Sequence, residues 1–82
     1  PMSLQSGIYK HYKGNLYRVL GVARHSETEE LVVVYKTLYG DYSLWVRPLS
    51  MFTEMVDVGS EQVPRFALME AAEPEVEDEA GD

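Results

Sequence analysis

The sequence predicts an all-β domain, on three observations. Apolar and β-branched residues alternate with polar ones over short runs, nothing sustains a helical period, and Gly- or Asn-bearing turns separate the runs. Taken in order, Ile8 to Tyr12 is a short alternating strand that meets the turn signal Lys13-Gly14-Asn15, and Leu16 to His25 returns as the second arm of a hairpin. Gly21 interrupts that second strand and marks a bulge or sharp bend. Glu30 to Leu38 is dense in β-branched and aromatic residues, with Leu31, Val33 and Tyr35 on one face and Val32, Val34 and Lys36 on the other. Gly40-Asp41 turns the chain into Ser43 to Pro48. There Leu44 and Val46 lie opposite Trp45 and Arg47, and Pro48 ends the strand because it has no N–H to donate. The segment from Pro48 to Phe52 fits one short helical turn, of the 3-10 kind. Thr53 to Val58 and Gln62 to Leu68 flank a Gly59-Ser60 turn and form a last hairpin. Five or six strands this short, with small turns and one helical turn, predict a highly bent SH3-like barrel whose closure limits exposed edges.

Length and composition bound the function. The 82 residues make one small domain, and a domain of about 60 residues buries only about 60% of its unfolded surface, which leaves no room for a deep catalytic cleft. There is no cysteine for a disulfide, and two histidines alone are a poor start for a structural zinc site. No cofactor or metal is expected. No apolar run approaches the roughly 20 residues of a membrane span, and no basic-then-apolar leader is present, so a cytoplasmic protein without membrane contact is expected. Pro1 ahead of Met2 reads as an expression remnant, and residues 1–6 are expected to be disordered. The domain itself is assigned to residues 7–70. From Glu70 onward there are seven acids and no Lys or Arg, so the formal net charge of −7 resides wholly in the C-terminal segment and the body is formally neutral. With one valine as its only large apolar residue, Ala71 to Asp82 is expected to be a disordered acidic tail, a solubilising terminus or a competitor for a basic partner surface.

Four ordered segments carry a family resemblance: YKHYKG at Tyr9 to Gly14, HSET at His25 to Thr28, the VVVYKTLYG run at Val32 to Gly40, and LWVRPLSMF at Leu44 to Phe52. In these the chain resembles the bacterial domain-of-unknown-function family 1653 from about Ile8 to Phe66. The resemblance implies a compact SH3-like barrel with no established activity. The acidic tail lies outside the family pattern.

The stretch Arg24 to Glu30, RHSETEE, looks reactive, with a histidine, two hydroxyls and three carboxylates. A Ser-His-acid relay needs serine and carboxylate on different imidazole nitrogens and backbone donors for the oxyanion, whereas adjacent residues at an exposed hairpin tip point to opposite faces. The segment therefore reads as a turn of four or five residues with hydroxyls capping its amides, or as a binding element through His25 or Ser26. No catalytic residue is assigned. An enzyme would need a pocket uniting distant residues such as His25, Arg47 and Tyr35.

Nine aromatic residues are more than so small a core can enclose. Tyr39, Tyr42 and Trp45, with Arg47 on the Trp45 face, are the preferred ligand-binding surface, joined by His25 and Ser26. Rings of this kind line the shallow grooves that receive peptides, and the guanidinium can stack on a ring or fork to a carboxylate or phosphate. The alternative is structural, with Trp45 central to the core and Arg47 paired to Glu54 or Asp57. A binding module for a peptide, protein or small polar ligand is the expected function. Its rival is RNA or ribosome association through Lys10, His11, Lys13 and Arg18 on the first hairpin, which the absence of a basic field disfavours. A monomer or a weak homodimer paired through a free strand edge is expected.

Overall fold

A computed structural model describes residues 3–76 of the chain. Seven strands and one helical turn follow in the order β1 (Gly7–His11), β2 (Leu16–Arg24), β3 (Leu31–Thr37), β4 (Leu44–Pro48), α1 (Leu49–Phe52), β5 (Met55–Val58), β6 (Glu61–Pro64) and β7 (Phe66–Ala71). They form an antiparallel five-stranded sheet, ordered β4-β3-β2-β1-β7, and a separate β5-β6 hairpin. The fold is all-β as expected, but β4 and β7 are edges that do not meet, so no closed barrel forms among the described residues. The strand count is also higher. The expected single strand from Gln62 to Leu68 is broken at Arg65: Pro64 ends β6, and β7 leaves the hairpin to pair with β1. Arg65 splices the two sheets, its N–H donating to the Glu54 carbonyl (3.0 Å) and its own carbonyl accepting from Tyr12 N–H (2.9 Å). The helical turn is α rather than 3-10, closed by Thr53 N–H on the Leu49 carbonyl at 3.1 Å.

The bulge falls where Gly21 placed it. Val19 pairs with Tyr35 and Gly21 with Val34, leaving Leu20 as an extra, unpaired residue of β2. That insertion shifts the alternation of side chains, so Val19 and Val22, three apart, both enter the core, which strict period-two alternation forbids. The core joins them to Tyr9, Val33, Tyr35, Leu49, Phe52 and Phe66. Phe52 and Phe66 stack at 4.1 Å with planes 2° apart, so α1 closes the concave side of the sheet.

Residues on both sides of the assigned 7–70 domain make contacts with it. Ser6 is buried, Leu4 packs on the core, and Tyr9 donates its hydroxyl to the Gln5 carbonyl at 2.6 Å. Ala71, assigned to the tail, pairs with Gly7 as the end of β7, and Ala72 N–H donates to the Ser6 carbonyl. Glu75 and Val76 both donate their N–H groups to the carbonyl of Leu20, at 2.8 and 2.9 Å. The bulge releases that carbonyl from the ladder, and the segment after β7 takes it up. Gly21 is required at this contact, because a Cβ there would collide with the Val76 carbonyl. The rest of the expected tail, residues 77–82, lies outside the described residues.

Candidate functional site

The bend of β2 and β3 leaves a hollow of about 320 Å³ on the concave side, where the rings of Tyr17, Tyr35, Tyr39 and Trp45 stand around Arg47. Strand parity explains the gathering. Tyr17 pairs with Thr37 across β2 and β3, and Tyr35 with Trp45 across β3 and β4, so one face of three strands presents them together. The turn from β3 to β4 supplies the rim with Tyr39, Asp41 and Ser43. Thr37 Oγ1 and Asp41 Oδ1 both accept from Ser43 N–H, at 3.1 and 3.2 Å, and the Trp45 indole N–H donates to Ser43 Oγ at 2.7 Å. Trp45 is thereby held upright while remaining 55% exposed.

Arg47 is the chemical centre of the hollow. Its guanidinium carbon lies 5.5 Å from the centroid of the Phe66 ring, and its Nε is buried without a hydrogen-bond partner among the described residues. The expected structural roles are not taken: Trp45 lies outside the core cluster, Glu54 pairs with Arg65 at 3.3 Å, and Asp57 accepts from Gln62 at 3.1 Å. Nε of Arg65 is likewise buried without a hydrogen-bond partner among the described residues, while its Nη2 pairs with Glu54. His11 meets the Phe66 ring edge-on at 4.9 Å, and its imidazole is held below the ordinary value, first by burial and then by the positive charges of Arg65, Arg47 and Lys13. Tyr17 and Tyr39 share a hydrogen bond of 2.9 Å. Burial, followed by that bond, pushes the Tyr17 hydroxyl up to about 12. Arg47, Arg65 and Lys13 bring positive charge to this end, although Arg65 is paired to Glu54 and Asp41 stands on the rim, so Arg47 is the group that would meet an incoming anion.

Not all of the expected surface is here. Tyr39, Trp45 and Arg47 come together, whereas Tyr42, in a left-handed conformation (φ 55°), turns to the opposite face beside Arg18, Lys36 and Leu44. His25 and Ser26 lie at the far tip of the β2-β3 hairpin, beyond the Arg24–Leu31 pair. There His25 Nδ1 accepts from the N–H groups of Glu27 (3.0 Å) and Thr28 (3.2 Å), so the imidazole, more than the hydroxyls, caps the turn. Thr28 Oγ1 accepts from Glu30 N–H. His25, Tyr35 and Arg47 do not share a pocket. The basic set of the first hairpin is divided: Lys10 and His11 border a second hollow with Val58 and Val63, Lys13 lies at the turn over the Tyr12 ring, and Arg18 stands apart from them beside Lys36 and Tyr42. Tyr17, Tyr35 and Phe66 were readable as core residues from their parity, but only the fold shows that they line or underlie the Arg47 hollow. Among the described residues no three His, Asp or Glu side chains gather to hold a metal ion, and no helix is long and apolar enough to cross a membrane.

The profile of a family described as "protein of unknown function (DUF1653)" matches residues 7–68. The chain belongs to DUF1653. A solved structure, that of a DUF1653 protein from Bordetella bronchiseptica, is 42% identical, with a TM-score of 0.77, covering 87% of this chain and 94% of that one. No curated protein matches the chain. The DUF1653 match takes in every residue of the hollow described above, from Tyr17 to Phe66, and ends before the segment that Leu20 anchors.

Proposed function

We propose that this DUF1653 chain is a cytoplasmic bacterial binding module, not an enzyme, and that its ligand enters the Arg47 hollow with an anionic group beside an apolar or aromatic one. The observation that carries this reading is the buried, unpartnered Nε of Arg47 at the base of a ring-lined hollow. A buried donor without an acceptor costs about 1–3 kcal/mol, and a carboxylate or phosphate supplied by a ligand removes that cost while Tyr39 and Trp45 cover its apolar part. Trp45 is the chain's one tryptophan, so its emission reports the site directly. Titration with aromatic carboxylates, acidic peptides and nucleoside monophosphates is expected to change that emission in the native protein and not in Arg47→Met. Equal binding by the variant would sink the reading.

A second reading places RNA phosphate on the convex face, where Arg18 stands directly across from Lys36 and Lys10 lies on the neighbouring strand. Like charges opposed across strands repel each other and an anion relieves them. The net charge of −7 opposes it, since polyanion affinity is drawn from a basic field. Binding of a mixed RNA pool that falls steeply with salt supports this reading, and no binding at low salt removes it.

A further inference from the structure

We propose that the ligand of the Arg47 hollow is an extended peptide that adds to β4 as a sixth strand of the sheet, with a carboxylate side chain facing Arg47. The proposal rests on the reading of the hollow given above and assigns the chemistry of its occupant. It follows from the parity of the β4 backbone. Thr37 N–H donates to the Ser43 carbonyl at 3.0 Å, and the same register sets Tyr35 opposite Trp45 and Val33 opposite Arg47. Hydrogen-bonded pairs alternate with non-hydrogen-bonded ones along an antiparallel ladder, so Trp45 and Arg47 direct their backbone groups to β3. Those of Leu44 and Val46 point outward, and no described strand pairs with β4 on that side. Leu44 and Val46 are also well exposed, at 63% and 58%.

That edge accepts a short strand and little else. Pro48 shares the outward parity and offers a carbonyl but no N–H, which confines full pairing to Leu44 and Val46. A second copy of β4 fits less well. Centred on Val46, an antiparallel pair of copies sets each Leu44 opposite a Pro48, and both Leu44 carbonyls go without a donor. An added peptide has no such mismatch, because its own N–H groups serve the Leu44 and Val46 carbonyls. Its residues opposite Trp45 and Arg47 fall in non-hydrogen-bonded pairs, where strands approach to about 4.5 Å and side chains lie closest. Charge complementarity with Arg47, whose buried Nε has no hydrogen-bond partner among the described residues, calls for an acid there, and the exposed Trp45 favours an aromatic residue two positions further along. Read in the antiparallel direction, the motif is Glu-x-Phe.

The test uses the full chain and the peptide acetyl-Thr-Glu-Thr-Phe-Thr-amide. Binding is expected to shift Trp45 emission and to slow solvent exchange of the Leu44 and Val46 amides. N-methylation of the central Thr, whose N–H meets the Val46 carbonyl, is expected to weaken binding about tenfold. N-methylation of Glu, whose N–H points away from β4, is expected to leave it unchanged. If the peptide shifts Trp45 and needs Arg47, yet Leu44 and Val46 exchange as before and the central N-methyl is harmless, strand addition is overturned and the hollow stands. Failure of the peptide and of small aromatic acids alike to move Trp45 removes both. If Leu44 and Val46 become protected with protein concentration alone, as the mass doubles, the edge belongs to a second copy and the proposal falls.

Discussion

His11 shows how a single side chain takes its properties from neighbours brought in by different strands. Burial and the charges of Arg65, Arg47 and Lys13 lower its pKa from the ordinary 6.5, so the unfolded chain takes up a proton more readily than the folded one. The stability that neutral His11 contributes is present above about pH 6.5 and is lost as the pH falls through 6.5 toward the lowered native value. Melting temperatures between pH 7.5 and 5 are expected to drop more for the native protein than for His11→Phe, and parallel curves would remove His11 as the cause. The phenol pair gives a second measurement. Tyr17 ionises at about 12, above the usual 10, so alkaline difference spectra are expected to show one tyrosine titrating late, at a lower pH in Tyr39→Phe. Gly21→Ala puts a methyl group against the Val76 carbonyl. A loss of about 1–3 kcal/mol is expected, together with faster amide exchange at Glu75 and Val76, while Ala at Gly14, which has open space around it, does not affect those two amides.

Among the elements, α1 contributes more than its four residues suggest. Phe52 is 1% exposed and stacked on Phe66, whereas Met51, one residue earlier, is 45% exposed. Urea unfolding is expected to show a loss of about 3–5 kcal/mol for Phe52→Ala and a change within about 0.5 kcal/mol for Met51→Ala. Comparable losses would mean that α1 does not close the core as described. The sequence was informative at this scale. Period-two alternation located β1 to β4, Gly21 located the bulge, and the Gly59-Ser60 pair located the last turn, because each is encoded by local chemistry. The break at Arg65 was hidden, since Gln62 to Leu68 alternates well as one strand and only its distant partners, β5 on one side and β1 on the other, divide it. The orientation of Tyr42 was hidden for the same reason: a turn residue with positive φ does not follow the strand parity that Tyr39 and Trp45 share.

At the scale of the whole molecule, closure failed to follow from strand number. Barrel closure depends on whether the first and last strands of the sheet come within hydrogen-bonding distance, a long-range condition with no local signature, and among the described residues β4 and β7 remain edges that do not pair with each other. It follows that the single tryptophan stands at the margin of the fold and not at its centre, and unfolding is expected to shift its emission little while far-ultraviolet dichroism changes fully; a large red shift would place Trp45 in a drier setting than its 55% exposure implies. The carbonyl of Leu20 has a practical bearing as well. By holding Glu75 and Val76, it keeps this end of the described chain on the face that carries Arg18 and Lys36, away from Trp45. A fluorophore attached to the side chain at position 76 would sit behind the sheet, leaving the Trp45 ring facing the sample.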